Sequence, residues 1–198
     1  MSALHESWKQ TRAHLRQAHE AAGSPPLGDL GDYLDHNELE LAADVLADFG
    51  DARDDLGEAF WEALKAAYDN MELQDRAKLC RFRVYESKYG FVEAHLTLTP
   101  TADGGRKNPV FTDYRPDWNI GNRAESGEVE INGAPITVED APSIPPGGTG
   151  LVRLHPLWRE AWTKVAPGAE LAMHEGPHVR GKAVVLRVTL RDGGDGDR

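Results

Sequence analysis

Two short patterns near the C-terminal end carry the residue types of catalytic centres. His174-Glu175-Gly176-Pro177-His178 matches H-E-x-x-H. On a helix that spacing sets two imidazoles on one face of a turn, with a carboxylate beside a bound zinc ion. Gly176-Pro177-His178-Val179-Arg180-Gly181-Lys182-Ala183 falls one residue short of the phosphate loop G-x-x-x-x-G-K-[ST]. Both chemistries require a helix, in the first case to align the histidines and in the second to aim its N-terminal amides at phosphate. Gly176-Pro177 interrupts any helix through the first pattern. The flanks Leu171–Met173 and Val184–Leu186 read as strands, so the segment is expected to be a turn between strands. Ala183 also lacks the hydroxyl that would ligate magnesium.

Other nucleophile and acid–base arrangements are incomplete. Cys80 is the only cysteine, which excludes an internal disulfide framework and any multi-cysteine metal site. Nothing beside it lowers a thiol pKa, and it reads as a small buried residue where the two halves of the chain join. There is no G-x-S-x-G elbow. Pairs such as Asp54-Asp55 arise from composition among other charges, without the burial that tunes a general acid. The expectation is therefore a protein that is not an enzyme, with no metal and no cofactor.

Composition narrows the alternatives. The chain has 198 residues, a net charge of −11, 40% hydrophobic and 28% charged residues, enough for a core and for one medium or two small domains. No apolar run approaches 18 residues, and Met1–Gln10 carries Glu6, Trp8 and Lys9 where a signal peptide needs an apolar stretch. A cytoplasmic protein without a membrane partner is expected. The charge is uneven: residues 1–80 hold 7 Lys/Arg against 17 Asp/Glu, a balance of −10, whereas residues 81–198 hold 15 against 16. The acidic half repels phosphate backbones and would attract a basic protein.

Patterning gives the two halves different elements. Leu4, Trp8, Leu15 and Ala18 predict an amphipathic helix over about 3–21, ended by Gly23-Ser24-Pro25-Pro26. Leu27, Leu30, Tyr33 and Leu34 suggest a short helix. Asn37 with Glu40 fits a capping box opening a helix whose apolar stripe is Leu41, Ala42, Val45, Leu46 and Phe49, with Gly50 placed to stop it. Asp55 is a cap for a last helix with Phe60, Leu64, Ala67, Tyr68 and Met71 inward and Trp61 widening that face. After a short linker at 74–78, Arg81–Tyr85 and Val92–Thr99 alternate with period two, as do Val129–Ile131, Thr149–Leu154, Glu170–His174 and Val184–Leu190. The fold class is α+β: a small acidic helical bundle over 3–75, an antiparallel β-barrel over 80–191, and a disordered Asp/Gly-rich tail at 192–198.

Within the second half, Phe91–Leu96 leads to Gly104-Gly105-Arg106-Lys107-Asn108-Pro109-Val110-Phe111-Thr112-Asp113-Tyr114-Arg115-Pro116-Asp117-Trp118. This resembles the C-terminal β-barrel (domain III) of elongation factor EF-Tu, with its G-G-R-x-x-P-x-F-x-x-Y-R-P-x-[FW] run. Pro146-Gly147, Val152–Leu157, Leu171–Gly176 and Val179–Val185 continue the resemblance in order, so that it covers about residues 91–190. Gly104, Gly105, Arg106, Tyr114, Arg115 and Pro116 are the motif positions. The resemblance implies a recognition barrel, because in EF-Tu this domain helps to bind the T-stem of aminoacyl-tRNA and contacts the exchange factor. No GTPase domain accompanies it here, Ala124–Ile136 looks like a divergent insertion, and only Arg106 and Lys107 remain as candidate RNA contacts.

The first half carries a second resemblance. Tyr33-Leu34-Asp35-His36-Asn37-Glu38-Leu39-Glu40-Leu41-Ala42, with Phe60–Leu64 and Met71-Glu72-Leu73, is similar to the small helical immunity proteins of the MafI type over about residues 28–75. These accompany bacterial polymorphic toxins, many of them nucleases with basic grooves that an acidic helical surface can occlude. Asp32, Asp35, Glu38, Asp44, Asp48 and Asp51 lie outside or at the edges of the apolar stripes and form the candidate acidic face. The leading expectation is an intracellular immunity-type protein that neutralises a basic toxin by occlusion, with the barrel as an accessory recognition module. The alternative is a binder of tRNA or a translation component through the barrel. A third reading is a hydrolase using His174, Glu175 and His178. The identity of the partner and the oligomeric state are not legible in the sequence.

Overall fold

The computed structural model describes residues 3–191, so the predicted tail at 192–198 lies outside the described residues. The fold is mixed α+β with the helices first. Five helices, α1 (Ala3–Ala21), α2 (Leu30–Asp35), α3 (Leu39–Asp51), α4 (Glu58–Asn70) and α5 (Gln74–Tyr89), precede seven strands. The strands are β1 (Val92–Leu98), β2 (Asp117–Arg123), β3 (Val129–Gly133), β4 (Ile136–Val138), β5 (Thr149–Leu154), β6 (Glu170–Glu175) and β7 (His178–Val188). Two compact units divide between Lys88 and Tyr89. The first, residues 1–88, holds 10 Lys/Arg against 18 Asp/Glu.

The helical unit closes around Leu15, Leu34, Leu46, Phe60, Leu64 and Tyr68, all buried. Helix α1 has the predicted extent, but its N-terminal apolar residues do not join this core: Leu4 and Trp8 are exposed. Three local expectations are corrected. Asn37 does not cap α3, because it adopts a left-handed backbone (φ 61°) and its side-chain oxygen accepts a hydrogen bond from Arg12. Asp55 does not cap α4, which starts from Gly57; its carboxylate instead accepts from Arg53 Nε at 2.8 Å. The inward stripe of α3 is Leu39, Ala42, Ala43, Leu46 and Gly50, rotated from the expected one, so that Leu41 is exposed.

Gly50 lies within α3 rather than ending it. A Cβ built there would sit 2.5 Å from Trp61 Cη2 and 2.8 Å from Phe60 Cε1. The hydrogen atom that serves as its side chain is what lets the edge-to-face Phe60–Trp61 pair, with centroids 4.8 Å apart, pack against α3. Gly50→Ala is therefore expected to destabilise the helical unit by a net ~1–2 kcal/mol, since overpacking outweighs the helix-propensity gain of about 1 kcal/mol. A urea midpoint equal to or above that of the parent chain would contradict this.

Helix α5 is the largest correction. Arg81–Tyr85 is not a strand and residues 74–78 are not a linker; both are helical. Between Gly57 and Gly90 there is no glycine or proline, and the α5 sequence is rich in Gln, Arg, Lys, Ala, Leu and Glu, all good helix formers. Ala77 and Cys80 recur at helical spacing on the buried side. A five-residue alternation is too short to outweigh that. The chain stops being helical at Gly90, whose φ of 75° puts it in the left-handed region and whose Cα closely approaches the Thr189 carbonyl.

The second unit is one seven-stranded antiparallel sheet in the order β3-β2-β6-β7-β1-β5-β4, curled into a half-barrel. Its two edge strands, β3 and β4, are consecutive in the chain and joined only by Ala134 and Pro135. That short connection forces the sheet to curl. Alternation sets the inner face: Val92, Ala94, Leu96 and Leu98 of β1 and Ala183 and Val185 of β7 are buried, whereas His95, Thr97, Lys182 and Val184 face outward. Trp118 and Trp162 fill the interior. Strands β2 and β4 were not foreseen, and much of the expected insertion at 124–136 is the β2–β3 turn and β3 itself.

Candidate functional site

The six candidate acidic residues fall on two short stretches. Asp32 and Asp35 lie on α2, with Glu38 just before α3; Asp44, Asp48 and Asp51 follow at i, i+4 and i+7 along α3, one stripe of that helix. Their partners differ. Asp44 accepts from Tyr68 Oη at 3.4 Å and pairs with Arg76 at 3.5 Å, and Asp51 pairs with Arg83 Nε at 2.9 Å. Arg76 and Arg83 are seven residues apart on α5, as Asp44 and Asp51 are on α3, so two of the six carboxylates are ties within the bundle. Asp35 meets Arg16 at 3.8 Å with both side chains well exposed, an interaction of about 0–1 kcal/mol that a stronger partner can displace. Asp32, Glu38 and Asp48 are exposed and have no side-chain partner among the described residues. The face available to a cation is thus Asp32, Asp35, Glu38 and Asp48.

Glu38 also stands on the wall of a groove of about 650 Å³. One side is α1, through Leu4, Ser7, Trp8 and Thr11; the others are the residues from Asn37 to Leu41 and the α4–α5 turn from Asn70 to Leu73. A small polar network fixes the floor. Asn70 Nδ2 donates to Ser7 O at 2.8 Å and to Thr11 Oγ1 at 2.6 Å, and the Thr11 hydroxyl donates to Ser7 O at 3.1 Å. Sequence reading assigned Leu4, Trp8 and Leu41 to buried stripes and so missed this feature.

Burial pushes the Cys80 thiol from its ordinary value of 9.0 up to about 12, with the Asp51 charge adding to the effect. The neutral thiol is the form the fold favours, so this contribution is complete below pH 9 and is lost as pH rises toward 12. Native protein at pH 8 is expected to leave Cys80 unmodified by a thiol-specific disulfide reagent over hours, with full reaction in denaturant. Fast stoichiometric labelling of the folded chain would contradict the buried placement. Burial likewise raises the Tyr68 phenol.

In the second unit the motif positions converge on a residue outside the motif, Glu175. Arg106 donates to Glu175 Oε1, as does the Tyr114 hydroxyl, and Arg180 Nε lies 3.3 Å from Glu175 Oε2. The Arg106 guanidinium also stacks 4.1 Å from the centroid of the Tyr114 ring. Arg180 donates to the Gly104 carbonyl, and burial raises the Tyr114 phenol. Gly104 turns the chain with φ 83°, and Gly105 packs so closely that a Cβ there would collide with the Thr99 carbonyl. Arg115 pairs loosely with Asp113 at 3.4 Å, and Pro116 is the buried residue leading into β2. Lys107 is exposed.

These contacts redefine the segment that resembled two catalytic motifs. Glu175 and His178 are directly paired residues of a β6–β7 hairpin turning through Gly176-Pro177, and His174 pairs with Val179. The histidines do not share a helical turn, and the residues after Gly181 continue β7. Among the described residues no three His, Cys, Asp or Glu side chains gather as a metal site. Glu175 holds two guanidinium groups and a phenol together. Glu175→Ala is expected to cost the second unit about 2 kcal/mol by leaving Arg106 Nη1 and the Tyr114 hydroxyl without their acceptor and Arg180 without its counter-charge, and Glu175→Gln less. Equal denaturation midpoints for Glu175→Ala and the parent chain would contradict this. No protein-family model matches the chain, and no curated protein matches it in sequence.

Proposed function

We propose that the chain is an immunity-type binding protein that neutralises a basic bacterial toxin in the cytoplasm by stoichiometric occlusion. The observation that carries this reading is the placement of the unpaired acid. The excess of carboxylates falls on the helical unit, and Asp32, Glu38 and Asp48 stand exposed without a counter-charge among the described residues. Such a surface raises the encounter rate with a basic groove and competes with the phosphates that groove would bind. The MafI-type resemblance over residues 28–75 points to the same class of partner. No helix among the described residues is long and apolar enough to cross a membrane.

The resemblance of residues 91–190 to domain III of EF-Tu supports reading the half-barrel as a second recognition module. Engagement of Arg106 by Glu175 favours a protein over tRNA as its ligand, because it leaves Lys107 as the one exposed cation of the proposed RNA pair. Co-expression with the product of a toxin-like reading frame beside the gene tests the function. Growth is restored by the intact chain on this reading, and persistent arrest with the chain in excess overturns it.

A further inference from the structure

The groove of the helical unit has the dimensions and chemistry of a helix-binding site. Leu4, Ser7, Trp8 and Thr11 of α1 stand at i, i+3, i+4 and i+7, the pattern of a helix seam. Thr11 is buried, but Leu4 and Trp8 remain 58% and 39% exposed, and Leu41 across the groove is 48% exposed. Large apolar side chains on facing walls, left in water, mark a surface that lowers its free energy when covered. The charged residues that line the groove have one sign. Glu38, Glu40 and Glu72 line the groove, and among the described residues no lysine, arginine or histidine does. Lys9, next to Trp8 in the sequence, and Arg12, which donates to the Asn37 side-chain oxygen, are the neighbouring cations, and neither lines the groove.

We propose that this groove binds a single helix of a protein partner, one that presents a large apolar side chain flanked by lysine and arginine. The apolar side chain seats between Trp8 and Leu41, and the flanking cations reach Glu38, Glu40 and Glu72. Residues 4–11 of α1 span about 10 Å, which two turns of a partner helix match. An extended strand would find no free sheet edge in this all-helical unit, and an anionic lipid or nucleic-acid surface would be repelled by the three carboxylates. The inference rests on the helical unit being the half that engages the partner, and it names the groove rather than the whole acidic surface as the anchor.

The test uses the full chain and a synthetic amphipathic helix of about 18 residues, roughly five turns, with leucine on one face and lysine on the other. Two control peptides carry glutamate for every lysine or serine for every leucine. Calorimetric titration is expected to show saturable 1:1 binding of the leucine/lysine peptide, with both controls at least about tenfold weaker. Trp8→Ala with Leu41→Ala weakens binding about tenfold. Glu38→Gln with Glu40→Gln and Glu72→Gln does the same while keeping the apolar walls, and it flattens the salt dependence. Circular dichroism identifies any variant that has lost its fold. Absence of binding, equal binding of the three peptides, or indifference to both sets of substitutions overturns the proposal. If these variants still rescue cells from the toxin, the groove assignment fails and the immunity reading stands; if the groove binds as expected but the intact chain does not rescue, the immunity reading fails alone.

Discussion

On the proposed immunity reading, replacing Asp32, Asp35, Glu38 and Asp48 together by lysine is expected to slow association with a basic toxin by about ten- to a hundredfold at low salt. The substitution reverses the part of the acidic surface that is free to act at a distance. Asp44 and Asp51 are left in place because their carboxylates tie α3 to Arg76 and Arg83. The fold should tolerate the change: the one ion pair removed among the described residues, Asp35 with Arg16, is well exposed on both sides and contributes about 0–1 kcal/mol. The effect has a second signature. At physiological salt, where the screening length is about 8 Å, the difference between parent and variant shrinks, and dissociation changes less than association. Stopped-flow association at two salt concentrations is the measurement. An unchanged on-rate at low salt would place the partner on another surface.

Trp118→Ala is expected to destabilise the second unit by about 3–5 kcal/mol. Trp118 is the second residue of β2, with its ring wholly buried, and its indole Nε1 donates to the Ala134 carbonyl at 3.0 Å. Ala134 belongs to the two-residue connection between the edge strands β3 and β4. The ring therefore both fills the half-barrel and holds the connection that curls the sheet. Truncation opens a cavity and leaves a buried carbonyl without its donor. Trp118→Phe restores most of the volume but not the donor, and separates the two contributions at about 1–2 kcal/mol for the hydrogen bond and its packing. Denaturant titration followed by amide exchange in β2 and β4 reads both variants. A loss below about 1 kcal/mol for Trp118→Ala would show that the ring is not the keystone of the curl.

How much of this was legible in the sequence depends on the range of the forces involved. Helix α1 and strands β1 and β5 follow from local periodicity, and the structure places them close to where the pattern does. The β6–β7 turn was equally local, since Gly176-Pro177 forbids the helix that both catalytic motifs need. Helix α5 was misread because Arg81–Tyr85 satisfies period two by chance, while the helical signal is spread over 16 residues without a breaker. Strand β2 carries Asn119, Gly121 and Asn122, poor strand formers; β3 and β6 pair with Asn119, and the β2–β3 register shifts between Asn119 and Arg123.

The candidate sites divide in the same way. Asp32, Glu38 and Asp48 could be recognised as surface charges from their positions beside the apolar stripes. That Asp44 and Asp51 are internal ties could not, because their arginine partners lie 32 residues downstream. The motif positions Arg106 and Tyr114 were visible, but their common acceptor, Glu175, is 69 and 61 residues away and had the appearance of a metalloprotease acid. Trp8 and Leu41 looked like core until the folded unit left their flank uncovered.

The central claim is one chain to one partner, with no turnover, and titration of toxin activity against this protein tests it most directly. At toxin concentrations well above the dissociation constant, residual activity should fall linearly and reach zero at one molar equivalent, with the toxin recovered chemically intact from the complex. Loss of activity at a small fraction of an equivalent, with continued inactivation over time, would contradict it and make the protein a catalyst.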